Sequence, residues 1–255
     1  MNIQEVIEYL RWIYDMEDYP NDPSLNGLQI QNKNPETKEI KKIAFAVDAC
    51  QETVSRALEA EADLLIVHHG LFWGSALAIT GSHYERVAKC IEGDLALFAC
   101  HIPLDANKIA GNNFGIAKRL ELEECLRFGE WRGAKIGVKG VFTEPQKIEQ
   151  VIAKLFPDGE KPLHVLPFGK KEIQSVGIIS GGAGDDLCQA IEEGLDLYIT
   201  GEISHENYHE ALEAGINVIA GGHYQTETVG VRLLMKKIEE ELHLETVFID
   251  VPTGL

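Results

Sequence analysis

Three short motifs bring together side chains of the kinds that hold transition metals. Val67-His68-His69-Gly70 places two histidines directly after the apolar run Leu64–Val67. His101-Ile102-Pro103-Leu104-Asp105 and His223-Tyr224-Gln225-Thr226-Glu227 each put a carboxylate four residues after a histidine, again following an apolar run. Neutral imidazole is the commonest protein ligand for such metals, and a mixed imidazole–carboxylate set suits zinc, manganese, iron(II) or cobalt. It suits calcium poorly, because that ion prefers oxygen ligands. A carboxylate such as Glu227 can bridge two ions. Two metals side by side would acidify a water and polarise a substrate oxygen, which is the chemistry of hydrolysis.

Each motif alone also has a packing explanation. Neighbouring residues of a strand point to opposite faces, so a His-His pair within a strand would send only one ring inward. At a strand end, where Gly70 lets the backbone turn, both rings can reach one place. His101 and Glu202 are the candidates for carrying a proton. Glu202 stands in Thr200-Gly201-Glu202, at the position matching His69 in a second copy of the pattern described below. His205 and His209 are one helical turn apart and could be either ligands or a solvated helix start. Ser180-Gly181-Gly182-Ala183-Gly184-Asp185 is glycine-rich but is not a phosphate loop: no Lys-Ser/Thr follows, and Asp185 and Asp186 would repel an anion.

The elements that must position these groups alternate as strand and helix, which implies an α/β fold of mixed, mostly parallel sheets flanked by helices. Ile3, Val6, Leu10 and Ile13 keep a helical period, with Asn2 and Glu5 spaced as a capping box. Tyr19 to Thr37 reads as loop. A βαβ series follows: strand Lys42–Val47, helix Glu52–Glu61 and strand Leu64–Val67, then helix Val87–Ile91 and strand Leu95–Ala99. A shift of 133 lays Lys42–Val67 on Ser175–Thr200, and a shift of 122 lays His101 on His223 and Asp105 on Glu227. Coincident polar residues, Asp63 with Asp196 among them, argue for two similar domains produced by internal duplication. Each copy then ends a strand with histidine and carboxylate, where open α/β sheets bind ligands.

The net charge of −18, from 41 acidic against 23 basic residues, argues against nucleic-acid binding and suits a cation-binding protein. There is no apolar run long enough to span a membrane, and the first residues show no basic stretch followed by an apolar one. A cytoplasmic location is therefore expected. The five cysteines form no C-x-x-C pair, so neither a disulfide framework nor a thiolate zinc site is expected. Few cations flank the motifs, Lys108 being nearest, so a triphosphate would have to lean on metals and backbone amides.

Taken together, Asn26-Gly27-Leu28-Gln29, Val67-His68-His69-Gly70 with Phe72-Trp73, His101–Asp105 with Gly111-Asn112-Asn113, Gly181–Gly184, Thr200-Gly201-Glu202 and Gly222–Glu227 resemble the Nif-three-like dinuclear-metal proteins. That family is also known as GTP cyclohydrolase I type 2 homologues. The resemblance runs over nearly the whole chain. It implies two divalent metal ions held by His68, His69, Asp105, His223 and Glu227, with Glu227 touching both, and a ring-shaped homohexamer. It implies a first domain of residues 1–127 plus 223–255, a second of residues 128–222 inserted into it, and the metals in the cleft between. The activity it implies is hydrolysis of a nucleotide or phosphoester by a metal-activated water, GTP ring opening being one version. The competing reading is a non-catalytic metal-binding scaffold, metallochaperone or partner-docking regulator.

Overall fold

The computed structural model describes residues 1–255 as two compact units, Met1–Ala110 with Gly230–Val251, and Gly111–Val229 with Pro252–Leu255. These bounds differ from the sequence-derived 127/128 and 222/223. Residue 127 falls inside a strand of the second sheet, and residues 223–229 belong to the second unit although they start a helix that ends in the first.

The first unit contains α1 (Ile3–Ile13), β1 (Gly27–Ile30), β2 (Lys42–Asp48), α2 (Gln51–Glu59), β3 (Leu64–His69), α3 (Gly81–Glu92), β4 (Ala96–Ala99) and the single turn α4 (Ile102–Asp105). The second contains α5 (Asn112–Arg119), β5 (Glu123–Trp131), β6 (Ala134–Gln146), α6 (Ile148–Leu155), β7 (His164–Pro167), β8 (Ile173–Ile178), α7 (Leu187–Glu192), β9 (Leu197–Thr200), α8 (His205–Ala214) and β10 (Asn217–Ala220). Helix α9 (His223–Leu242) leads back to the first unit, which β11 (Glu245–Phe248) completes.

The expected capping box at α1 is present: Asn2 Oδ1 accepts from the Glu5 N–H, and a Glu5 carboxylate oxygen accepts from the Asn2 N–H. The first sheet has the order β1-β4-β3-β2-β11, with only β1 antiparallel. Strand β1 lies within the stretch read as loop. It has just four residues, and its Pro- and Asn-rich flanks hide it from a periodicity argument. Both faces of the sheet are buried, as parallel sheets require. Ile43, Phe45, Leu64, Ile66 and Phe98 pack with α1 and with Val231, Leu234 and Ile238 of α9. The alternate residues Ala44, Ala46, Leu65, Val67 and Leu97 pack with Val54 and Ala57 of α2 and Val87 of α3.

The second sheet has the order β5-β6-β8-β9-β10-β7 and is more mixed than expected. Strands β5 and β6 form an antiparallel hairpin closed by Arg132 and Gly133, both at positive φ (49° and 89°), as a two-residue hairpin turn demands. The duplication is visible in the topology. The order β1-β4-β3-β2 is repeated as β7-β10-β9-β8, with the same strand antiparallel in each. Ile43 pairs with Leu64 as Val176 pairs with Leu197, which is the offset of 133 on both strands. In the next strand the register corrects the sequence reading: Leu64 faces Ala96 and Leu197 faces Asn217, an offset of 121 rather than 122. The extra residue comes after the strand, where Gly222 turns at φ 100° before α9, so that His223 regains equivalence with His101.

The coincidence of Asp63 with Asp196 turns out to be scaffolding. Asp63 Oδ2 accepts from the N–H groups of Lys41 and Lys42, and Asp196 Oδ2 from those of Gln174 and Ser175. A lysine, Lys38 or Lys170, pairs with the other oxygen. Burial opposes ionisation of Asp196, but the bonds from Lys170, Ser175 and Gln174 outweigh it and hold its carboxyl below the usual range.

Candidate metal centre

In the first unit, β3 delivers His68 and His69 at its carboxyl end, and their ring centroids lie 4.5 Å apart. At this strand end the two rings come together, tilted 45° to one another. Gly70 is required for the turn: a Cβ there would sit 2.4 Å from Gln29 Nε2 and 2.5 Å from Ala99 Cβ. Gln29 holds this turn by accepting the Leu71 N–H at 2.7 Å. The His101 ring is 5.0 Å from that of His68 and 5.6 Å from that of His69.

The three rings share one arrangement. His68 Nδ1 lies 3.0 Å from the Cys100 carbonyl oxygen, His69 Nδ1 2.8 Å from Asp48 Oδ1, and His101 Nδ1 2.8 Å from Asp22 Oδ1. Carbonyl and carboxylate only accept, so each Nδ1 is the donor, and Nε2 is the ring nitrogen these acceptors do not engage. This is how protein second-layer contacts orient metal-binding imidazoles. The three histidines offer ligand atoms within 4.8 Å of one another. Asp105, at the end of α4, puts Oδ2 3.5 Å from His68 Nε2 and is buried. The donor types and the bound Nδ1 atoms fit a divalent transition metal.

Asp48 and Asp22 were missed by the sequence reading. Asp48 had a legible signal, a carboxylate at the carboxyl end of the strand next to β3, opposite His69 in the register. Asp22 had none, because it lies in the loop before β1. Asn26 ties that loop to the site: its Oδ1 accepts the His101 N–H, and its Nδ2 donates to Asp22 Oδ2 at 2.8 Å. Burial opposes charge on Asp22, yet the bonds from His101, Asn26 and the Ser24 N–H prevail and keep its carboxyl below the ordinary range.

In the second unit, the same motif is built on a helix start. His223 and Glu227 are one turn apart on α9, with His223 Nε2 3.1 Å from Glu227 Oε1. The His223 Nδ1 is hydrogen-bonded to Glu202. Burial disfavours the imidazolium, but the carboxylates of Glu227 and Glu202 outweigh it and raise the His223 pKa to about 9. Glu202 thus orients His223, as Asp48 orients His69. Glu227 is 3% exposed and lies against Gly181, where a Cβ would meet its Oε1 at 2.3 Å. Gly181 is at φ 70°, and its N–H donates to Thr226 Oγ1. The Gly181–Gly184 turn therefore makes room for Glu227. The small cavity beside it, lined by Asp185 and Glu202, is acidic and suits no phosphate. His205 and His209 face each other with ring centroids 6.1 Å apart and have no part in either set. No helix of the chain is long and apolar enough to cross a membrane.

Comparison with known proteins agrees with this architecture. A model of the Duf34/NIF3 family (NGG1p interacting factor 3) matches residues 1–254. The chain is 44% identical to a protein of Deinococcus radiodurans, over 97% of this chain and 94% of that one. It is 41% identical to one of Treponema pallidum over the full length of both. Each of these relatives is named "GTP cyclohydrolase 1 type 2 homolog". Among solved structures, TTHA1606 from Thermus thermophilus superposes with a TM-score of 0.88 at 38% identity, covering all of both chains.

Proposed function

Because the chain belongs to the Duf34/NIF3 family, we propose that it is a dinuclear divalent-metal protein acting as a hydrolase on a nucleotide or phosphoester. The observation that carries the reading is the clustering of His68, His69 and His101, each held through Nδ1 by a fixed acceptor and with ligand atoms within 4.8 Å of one another. In this reading His68, His69, Asp105, His223 and Glu227 would hold the metals. When bound, the metals would supply Lewis acidity, acidifying water and polarising a substrate oxygen.

The chain's own residues do the rest. His101, held by Asp22, carries the proton between water and leaving group. Glu202 accepts the hydrogen bond from His223 Nδ1 and so keeps the ring in its ligating orientation. Burial of Asp105 and Glu227 keeps competing water away from both carboxylates. The names of the relatives favour a purine nucleotide such as GTP within the substrate class. The family resemblance extends the proposal to a cytoplasmic homohexamer, whose assembly light scattering after gel filtration checks directly.

Elemental mass spectrometry on untagged protein prepared without chelator tests the metal assignment. Close to two equivalents of a transition metal per subunit is expected, followed by turnover in a screen of nucleotides and phosphoesters. Metal without turnover on any of them leaves the scaffold reading in its place. Protein that takes up no zinc, manganese, iron or cobalt would sink both.

A further inference from the structure

Beside the three histidines, the first unit contains a cavity of about 340 Å³. We propose that this cavity, bounded by Asp22, Ser24, Leu25, Phe72, Trp73 and Leu77, binds an uncharged, purine-sized heteroaromatic ring of the substrate, with Ser24 Oγ as its hydrogen-bonding partner. The inference rests on the cluster of His68, His69 and His101 being the reaction centre, and the test below separates the two.

The walls are built rather than incidental. Residues 22–25 and 72–74 are clamped together by a β-bridge between Ser24 and Trp73. The Leu25 N–H donates to the Phe72 carbonyl at 3.0 Å, and the Gly74 N–H to that of Pro23 at 2.6 Å. Trp73 is fixed at its polar end, where Nε1–H donates to the Gly70 carbonyl at 2.9 Å. Its ring centroid is 4.9 Å from that of His101, so the Trp73 wall of the cavity adjoins the histidine cluster.

The volume falls in the usual range for small-molecule sites and accommodates a bicyclic ring with part of a sugar. The lining has two aromatic rings and no cation; its one charge is Asp22, whose oxygens are already engaged by His101, Asn26 and the Ser24 and Ile102 N–H groups. Nothing there would offset the burial of a phosphate, so the ring enters and anionic groups stay outside. Leu25 and Leu77 leave apolar surface at 56% and 44% exposure. Ser24 supplies the independent sign of a ligand. It is 7% exposed, it lines the cavity, and its Oγ has no hydrogen-bond partner within the protein. A buried hydroxyl without a partner is costly, and the edge of a heteroaromatic ring satisfies it.

Trp73 is also the reporter. The chain has three tryptophans, and Trp12→Phe with Trp131→Phe leaves Trp73 alone. Guanosine, adenosine and ribose 5-phosphate are titrated against its fluorescence, with metal content measured on the same samples. At least one purine nucleoside is expected to give a saturable change and ribose 5-phosphate none. Ser24→Ala should weaken that binding at least fivefold with metal content unchanged. No response to either nucleoside up to millimolar concentration, an equal response to ribose 5-phosphate, or unaltered affinity in Ser24→Ala would each overturn the subsite. Nucleoside binding that depends on Ser24 in a protein without metal upholds the subsite and removes the metal reading. His69→Ala, which should lose metal, is expected to keep the Trp73 response; losing it with the metal would also overturn the proposal, since the ring would then be held by metal rather than by this cavity.

Discussion

At the carboxyl end of β3 the first unit has His68 and His69; at the matching end of β9 the second has Gly201 and Glu202. Asp48, which holds His69, corresponds to Gly181, which makes room for Glu227. The two units therefore share a scaffold and divide the chemistry. In the first, His68 and His69 come from a strand end and are oriented by the Cys100 carbonyl and by Asp48. In the second, both groups come from one turn of a helix, and glycines at the strand ends let that helix start approach. A Cβ on Gly201 would lie 2.8 Å from His223 Cα and 2.9 Å from Thr226 Oγ1. Duplication kept what holds the strands, as Asp63 and Asp196 show. It exchanged large donors for small spacers where the helix had to come in.

The contrast is broken most severely at Gly181. Gly181→Ala would put a methyl group on Glu227 at a positive φ, and a loss of stability on the order of 3 kcal/mol is expected together with loss of metal. Thermal unfolding and elemental analysis read the two effects; Asp48→Ala, at the corresponding position, should leave the melting temperature nearly unchanged. If both variants melt alike, the spacer role is wrong.

Glu227→Gln comes next. It keeps size and hydrogen bonding but loses the anionic ligand, so metal content should drop by about one equivalent while the circular dichroism spectrum is retained; unchanged metal would remove Glu227 as a shared ligand. Asp48→Asn is gentler: His69 loses its charged partner, and metal affinity should fall by about 10- to 100-fold, measured by competition with a chromophoric chelator. An unaltered affinity would make Asp48 mere surface.

The smallest effects concern the shared scaffold. Asp63→Asn and Asp196→Asn should each cost about 1–2 kcal/mol in urea unfolding, and by similar amounts, because the two carboxylates accept equivalent backbone bonds. A large difference between them would show that the repeat is one of shape only. For Asp196, whose folded pKa is depressed, the contribution is present above the unfolded pKa and is lost as pH falls through the folded one. The cost of Asp196→Asn should accordingly shrink between neutral pH and acid conditions well below pH 4.

Much of the scaffold could be read from the sequence because it follows local rules. The α1 capping box, the apolar strands and the offset of 133 are properties of consecutive residues, and the structure reproduces each. The second offset was one residue out within β10, since a single glycine inserted after a strand leaves no mark on hydropathy. The short edge strand β1 was hidden for a related reason: what makes it a strand is Ala99 and Phe98 of β4, not its own pattern.

The sequence by itself determined the chemical inventory of this protein: which residues could ligate, that they recur in two copies, and that each copy follows a strand. Only the tertiary structure decided what each histidine faces. Asp22 lies 79 residues from His101 and Asp48 21 residues from His69, yet each is 2.8 Å from its imidazole. Tautomer and orientation depend on such partners, and partners brought together by sheet register and loop packing have no fixed spacing along the chain.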